Sequence, residues 1–310
     1  MGVTALAGGV GAAKFLRGLT AALPPAEVTV IGNVGDDARF HGLHVSPDLD
    51  IVTYTLAGVV DEAKGWGIAG DQRRALDQMA RYGVDTWFWL GDADLGTCLA
   101  RTQWLAEGSL LSAVTERIRS GLGVATRILP VTDGALRTTF VTAAGERREF
   151  QDYFVRHHHA EEVASVTFEG ADNTVPAPGV LEALEDAERI VICPSNPVVS
   201  IGPILAVPGI REALQRRRDR VVAISPIVQG AALRGPADRL LPVMGAEASA
   251  SGVASLYRDL CGTFVLDRRD PGEAPRVEAL GMTAVLAETV METPDIAAAL
   301  AKEILALELG

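Results

Sequence analysis

Asp36, Asp37, Asp48 and Asp50 crowd one stretch that follows an apolar run over residues 28–31 and a Gly32-Asn33-Val34-Gly35 turn. Gly42 and Pro47 interrupt that stretch and predict a polar loop rather than a long helix. Carboxylates at this density repel one another unless something positive sits among them. A divalent cation with oxygen ligands is the usual answer, and Mg²⁺ commonly bridges one or two carboxylates to substrate phosphates. The plainer alternative makes Asp37 and Asp48 caps and turn residues. A second acidic pair, Asp92 and Asp94, stands in Gly91-Asp92-Ala93-Asp94-Leu95-Gly96. That pair can serve a ligand or cap a helix, and Arg101 beyond it can meet an anion or solvate a face.

Two further stretches suit an anion. Gly8-Gly9-Val10-Gly11-Ala12-Ala13-Lys14 follows a short apolar strand and opens an apolar-periodic helix. Its glycines allow close backbone approach, and the helix N-terminus presents free N–H groups. Gly9 and Gly11 form a partial dinucleotide fingerprint, with Lys14 where a third glycine would stand. Ser195, Asn196, Ser200 and Gly202 lie in a proline-rich loop after another apolar strand, and short hydroxyls, an amide and a glycine suit a phosphate or nucleotide. Ser225-Pro226-Ile227-Val228-Gln229-Gly230 repeats that logic. His157, His158 and His159 are consecutive, point in different directions, and lack the spaced partners of a zinc site. Trp66, Trp87, Trp89 and Trp104 read as mostly core, with one able to stack on a flat ligand. There is neither a Gly-x-Ser-x-Gly elbow nor a P-loop, which weighs against hydrolase and ordinary NTPase chemistry.

The elements that must position these groups alternate. Strands are expected at residues 3–7, 27–31, 86–90, 127–131, 190–193, 221–224 and 263–266. Helices are expected after Gly11 to residue 23, and at 70–82, 101–120, 180–187, 210–217, 248–260 and 297–307. This order predicts an α/β protein with a doubly wound, mainly parallel sheet. Ligand groups then gather at the carboxyl ends of its strands, and Asp92 and Asp94 are expected at the end of the strand over 86–90. Residues 136–174 change texture and read as an inserted β-hairpin subdomain, with strands at 136–142, 148–155 and 164–169. The core is then residues 1–135 and 175–310 of a single domain, 1–310.

Composition narrows the classes. The 310 residues are 48% hydrophobic and 22% charged, the make-up of an ordinary globular protein, with a formal net charge of −12. Such an acidic surface argues against a nucleic-acid or anionic-membrane partner and leaves room for a small phosphorylated ligand. No apolar run approaches the ~20 residues of a membrane span. Cys98, Cys193 and Cys261 are scattered and form no CxxC pair, so they read as buried thiols in a reducing cytoplasm.

Taken together, these segments resemble the 2-phospho-L-lactate transferase family of deazaflavin coenzyme F-420 biosynthesis, which includes a phosphoenolpyruvate variant. The resemblance rests on AGGVGAAKF at 7–15, NVGDD at 33–37, HGL at 41–43, PDLD at 47–50, YTL at 54–56 and WFWLGDADL at 87–95. It continues in RT at 101–102, QDYFVRH at 151–157, SNP at 195–197, SIGPIL at 200–205 and SPIV at 225–228. Departures are small: Ala12-Ala13 and Ile51 stand where the family often has other residues.

The resemblance implies a cytoplasmic, Mg²⁺-dependent transferase with a Rossmann-like core. It would move a phospho-acid from a guanosine diphosphate-activated donor to the ribityl hydroxyl of the 7,8-didemethyl-8-hydroxy-5-deazariboflavin precursor, releasing GMP. Asp36 and Asp50 would be catalytic, and the metal would be held by Asp36 with Asp48 or Asp50. Gly9, Gly11 and Lys14 would steady the donor phosphates, and Ser195, Asn196, Ser200 and Gly202 the guanosine half. Asn33, His41, Trp89, Asp92, Asp94 and Arg101 would face the deazaflavin. Its partners would be small molecules, with no nucleic acid and no membrane, and a homodimer is the default assembly. A competing reading is a nucleotide-sugar-binding regulator of the related gluconeogenesis-factor branch, which shares the glycine-rich opening and the NVGDD-type loop. QDYFVR and IGPIL favour the transferase. A nicotinamide dehydrogenase is disfavoured by the incomplete fingerprint and the surplus of acids.

Overall fold

Seven short strands, rich in β-branched and other apolar residues, build the central sheet of the computed structural model. Numbered in chain order they are β1 (Val3–Ala7), β2 (Val28–Gly32), β3 (Arg127–Pro130), β4 (Arg189–Ile192), β5 (Val221–Ile224), β6 (Thr263–Asp267) and β7 (Thr283–Ala287). The structure describes residues 2–233 and 235–309, so Met1, Arg234 and Gly310 of the expected 1–310 domain lie outside it. All neighbouring pairs are parallel, in the order β7-β6-β5-β4-β1-β2-β3, with Val3 of β1 opposite Val28 on one side and Arg189 on the other. The five strands from β1 to β6 that lie inside the sheet are buried almost throughout, which is why their sequences read as apolar runs rather than alternations. The order is that of a doubly wound, Rossmann-like fold with one extra edge strand. Its winding reverses between β1 and β4, which opens a crevice at their carboxyl ends.

Helix α1 (Gly9–Ala22) leaves β1 through Gly9, whose φ of +74° favours glycine. A Cβ at Gly11 would stand 2.3 Å from the Pro194 carbonyl oxygen, so the helix start and the loop after β4 touch through backbone. The closing helix, Pro294–Ala306, packs on α1, and Gly18 meets the Ala297 backbone there. Arg189, the first residue of β4, is buried and donates to the Ile304 and Leu307 carbonyls, filling the acceptors that the end of the closing helix leaves open.

Several expectations are corrected. Residues 86–90 are not a strand. The Phe88 ring stacks on Phe40 at 3.8 Å and the Trp89 ring meets Trp66 at 5.4 Å, so aromatic side-chain packing, and not a strand partner, holds the segment. Asp92 and Asp94 therefore do not follow a strand. They fall in the first turn of a helix that starts well before the expected residue 101. Pro47 does not block a helix but starts one, since its fixed φ suits the first helical position. The chain thus runs through α2 (Pro47–Leu56), α3 (Arg74–Arg81) and α4 (Asp92–Ala106) before a separate helix, Leu111–Gly121. β7 and the small hairpin Ala38–Phe40/Leu43–Val45 had no counterpart in the sequence reading.

Arg137–Thr142, Arg147–Glu149 and Val163–Glu169 form a separate antiparallel sheet. The middle strand in sequence stops at Glu149 rather than 155, because residues 152–156 coil into a π-helical turn. That turn buries Tyr153 against Phe140, with ring centroids 4.5 Å apart. Val198, Val199 and Leu240 complete this small core and fasten the inserted sheet to the main body.

Replacing Arg189 by Met keeps the bulk and removes both donors to the closing helix. We expect a loss of about 1.5–3 kcal/mol, the usual scale for hydrogen bonds from a charged group. Urea unfolding followed by circular dichroism measures it, and an unchanged midpoint would show that the closing helix does not depend on this cap.

Candidate functional site

A cavity of about 690 Å³ lies at the crevice between β1 and β4. Its floor begins with the two loops that leave these strands. The Gly8 N–H donates to Ser195 Oγ (3.3 Å), and the Gly9 N–H donates to Asp48 Oδ1 (2.7 Å). A Cβ at Gly8 would stand 2.5 Å from Asp48 Oδ2, so only glycine lets the carboxylate come this close. Val10 and Gly11 also line the cavity, in the turn whose N–H groups an α-helix leaves without internal partners. Asn196 Oδ1 accepts from the Val198 and Val199 N–H groups (2.9 and 3.2 Å), and this tight turn keeps Ser195 and Ser200 on the cavity wall. Lys14 lines the cavity and donates to the Met291 carbonyl (3.2 Å).

Asp36, Asp48, Asp50 and Asp94 form the acidic part of the floor, and all four are buried. Asn33 Nδ2 donates to Asp48 Oδ2 (2.9 Å) and reaches Asp36 Oδ1 (3.4 Å), so one amide spans two carboxylates. Burial, then repulsion from Asp48 and Asp37, raises the Asp36 carboxyl well above the ordinary carboxylate range. Burial also pushes Asp48 up to about 6, against the pull of the Asn33 and Gly9 hydrogen bonds. Asp50 is bound on both oxygens by the buried Arg101 guanidinium, at 3.0 Å on Oδ2 and in close contact on Oδ1. Burial still raises its pKa against that cation. Asp94 Oδ1 accepts from the Tyr54 hydroxyl (2.8 Å), and burial followed by Asp50 repulsion pushes it up to about 7. Asp37 turns away from the cavity, bonded to Ser46 Oγ (2.7 Å) and to the His44 ring (2.9 Å).

The walls are aromatic. Trp66, Trp87, Phe88 and Trp89 stand on one side, and Phe150 and Phe154, stacked at 4.4 Å, come from the inserted segment. Gln151 of that segment donates to the Asp36 backbone carbonyl (3.1 Å) and so ties the insertion to the acidic floor.

The residues expected at the site separate into three groups. Gly9, Gly11, Lys14, Asp36, Asp48, Asp50, Trp89, Asp94, Ser195, Asn196 and Ser200 line the cavity. Asn33 and Arg101 stand behind it and hold its carboxylates. His41, Asp92 and Gly202 are not brought to it. His41 and Asp92 line a separate shallow depression, and Asp92 Oδ1 accepts from the Ala75 N–H (3.0 Å) at the start of α3. Gly202 packs against the Phe168 ring, where a Cβ would stand 2.7 Å from Cζ. Tyr54, Gln151, Phe154, His159 and the Thr289–Glu292 segment are cavity residues that the site reading did not name. Tyr54 was legible as a position four after Asp50 on one helix face; the segment over 289–292 carries no local signal.

Asp36 and Asp48 are hard oxygen ligands, both raised by burial, and they share one neutral amide. Such a pair suits Mg²⁺, which takes one or two carboxylates and leaves its other positions to water and phosphate. Asp50 fits less well because Arg101 occupies both of its oxygens. Among the described residues, the one set of at least three groups with ligand atoms within 4.8 Å of one another is Asp50, Asp94 and Cys98. Arg101 stands beside that set, and burial raises the Cys98 thiol, so it is a poor thiolate ligand.

The family model described as 2-phospho-L-lactate transferase CofD matches residues 3–290. A phosphoenolpyruvate transferase of Streptomyces griseus is 45% identical over 315 residues, covering 100% of this chain and 98% of that protein. A 2-phospho-L-lactate transferase of Methanosarcina mazei is 38% identical over 288 residues, covering 93% and 94%. A crystal structure of a UPF0052 family member from Bacillus halodurans superposes with a TM-score of 0.66 over 98% of both chains, at 19% identity. That likeness establishes the α/β fold. Among the described residues no helix is long and apolar enough to cross a membrane.

Two outcomes follow from the electrostatics. Asp36, Asp48 and Asp94 hold protons more tightly folded than unfolded, so stability is lost as pH rises above the unfolded carboxylate range of about 4, for Asp48 through about 6 and for Asp94 through about 7. In divalent-free buffer the urea midpoint should be higher at pH 5 than at pH 8, and equal midpoints would refute the raised acids. Arg101→Met leaves Asp50 buried without its cation and should cost about 3–5 kcal/mol at pH 8. The same urea titration should show a smaller loss at pH 5, where Asp50 can take up a proton.

Proposed function

The chain belongs to the CofD family of 2-phospho-L-lactate transferases, and from that premise we propose that it transfers an enolpyruvyl phosphate group from a guanosine diphosphate-linked donor to the ribityl hydroxyl of the deazaflavin precursor of coenzyme F-420, with release of GMP. The observation that carries this reading is the union, in one cavity, of an anion-suited glycine and hydroxyl floor, a buried carboxylate pair and aromatic walls. The donor is read as enolpyruvyl rather than lactyl because relatives at 45% identity bear the name phosphoenolpyruvate transferase, while the phospholactate enzyme stands at 38%.

Attack of an alcohol on a diphosphate needs alignment and charge neutralisation rather than a covalent protein intermediate. The N–H groups at the start of α1, with Lys14, would hold the diphosphate, and Ser195, Asn196 and Ser200 would face the nucleotide half. Asp36 and Asp48 would hold Mg²⁺, which supplies the positive charge that two carboxylates and a diphosphate together lack. Asn33 orients both carboxylates, and Gln151 fixes the loop that carries Asp36. Trp66, Trp87, Trp89 and Phe154 would receive the flat deazaflavin.

The test is GMP release by purified protein given the enolpyruvyl or lactyl donor and the deazaflavin, with Mg²⁺ or EDTA. We expect release that requires both the acceptor and the metal, with the enolpyruvyl donor faster. Asp48→Asn should lower kcat/KM by about 10²–10³-fold, the scale of losing one group that manages transition-state charge. Tight donor binding without turnover would make the protein a nucleotide-sugar sensor instead.

A further inference from the structure

Transfer to an alcohol also requires a group that takes its proton, and four buried carboxylates line the cavity. Their hydrogen bonds separate them. Asp48 has one oxygen on the Gly9 N–H and the other on the Asn33 amide. Asp50 has both on Arg101. Asp36 stands with Asp48 on the shared Asn33 amide, beside the loops that would hold the donor. Asp36 and Asp94 each keep an Oδ2 with no hydrogen-bond donor among the described residues, but Asp36 is a residue proposed to hold Mg²⁺, whereas Asp94 Oδ1 accepts from the Tyr54 hydroxyl.

Position singles out the same residue. Asp94 is the third residue of α4 and follows the aromatic segment 87–90 almost directly, so it stands where the acidic floor meets the aromatic wall. Its backbone N–H donates to Asp71 Oδ2 (3.0 Å), as the Ala93 N–H does to Asp71 Oδ1 (2.9 Å), which pins this first turn. A flat ring received by the wall would bring a hydroxyl on its side chain towards this junction, opposite a diphosphate held on the floor.

We infer that Asp94 is the catalytic base that accepts the proton of the attacking hydroxyl through Oδ2, with Tyr54 positioning it through Oδ1; this rests on the transferase reading of the cavity. In the step, the acceptor oxygen bonds to the phosphorus that carries the phospho-acid. The bond from that phosphorus to the oxygen shared with GMP breaks, and its electron pair leaves with GMP. The hydroxyl proton passes to Asp94 and then to solvent. The charged and titratable groups facing Asp94 are Asp50 and Tyr54 from α2, Cys98 and Arg101 from α4, and Asp71 from the segment before α3. Burial and Asp50 make Asp94 a stronger base than an ordinary carboxylate, while Tyr54 and Arg101 favour its ionised form.

The experiment compares wild type, Asp94→Asn and Tyr54→Phe at saturating Mg²⁺ over a pH series. Asp94→Asn should lose about 10²–10⁴-fold in kcat, the usual range for a general base. Its donor KM should stay within about threefold, because no ground-state contact to the donor is removed. Wild-type kcat/KM should climb with pH through a midpoint near pH 7 and level off above it, a limb that the Asn variant lacks. Tyr54→Phe removes a hydrogen bond to the ionised carboxylate and should move that limb to higher pH. An Asn variant that keeps kcat within about threefold of wild type overturns the assignment. So does an unshifted limb in Tyr54→Phe, which decides the matter should the Asn variant fail to fold. A wild type that releases no GMP overturns the transferase reading itself, and the base with it. An active wild type matched by an equally active Asn variant overturns the base alone.

Discussion

Four buried carboxylates share one cavity floor, and most of the polar contacts around them answer the repulsion this creates. Arg101 neutralises Asp50. Asn33 divides its amide between Asp36 and Asp48, and Tyr54 gives its hydroxyl to Asp94. Breaking a buried ion pair costs more than making one contributes, so these residues are placed less for stability than for keeping the charges where they are. Negative charge remains in excess at Asp36 and Asp48. On the proposed function, an anionic diphosphate would settle beside them only together with a cation, and the same electrostatics would couple the two.

The fold supplies the place and the insertion supplies the enclosure. Reversal of winding between β1 and β4 separates the first residues after each strand and leaves a crevice at their carboxyl ends. Three glycines let the backbone approach there: Gly8 under Asp48, Gly11 against Pro194 and Gly9 at positive φ. The inserted sheet adds Phe150 and Phe154 to the cavity and holds the Asp36 loop through Gln151. At the far side of the sheet, Asp267 accepts from the Thr289 N–H and hydroxyl (both 3.0 Å), which keeps the segment over 289–292 at the cavity rim.

Where the reading of residues and the structure differ, long-range packing overrode a local signal. The run over 86–90 has the aromatic and β-branched composition of a strand, yet its rings found partners in Phe40 and Trp66, and among the described residues no strand pairs with it. Pro47 is a breaker in the middle of a helix and a good first residue of one, and only its position relative to Ser46 decides between these. Asp92 and Asp94 are two residues apart, so on a helix they point to different sides. One caps α3 and the other enters the cavity. His41 and Gly202 sit in stretches that resemble the family, but the first faces a shallow depression and the second a phenylalanine ring.

The sequence by itself determined the α/β class, the doubly wound sheet, the inserted segment and the identity of the four carboxylates on the cavity floor. These follow from local periodicity, from glycines at strand ends and from motifs whose residues lie close together in the chain. Only the tertiary structure decided how the acids are shared out. Asp50 belongs to Arg101, Asp48 to Gly9 and Asn33, and Asp94 to Tyr54, through contacts that mostly join different helices and strands. A carboxylate's role depends on what approaches its two oxygens and on how much water is left around them. Both quantities arise from the meeting of distant segments, and composition and spacing do not contain them.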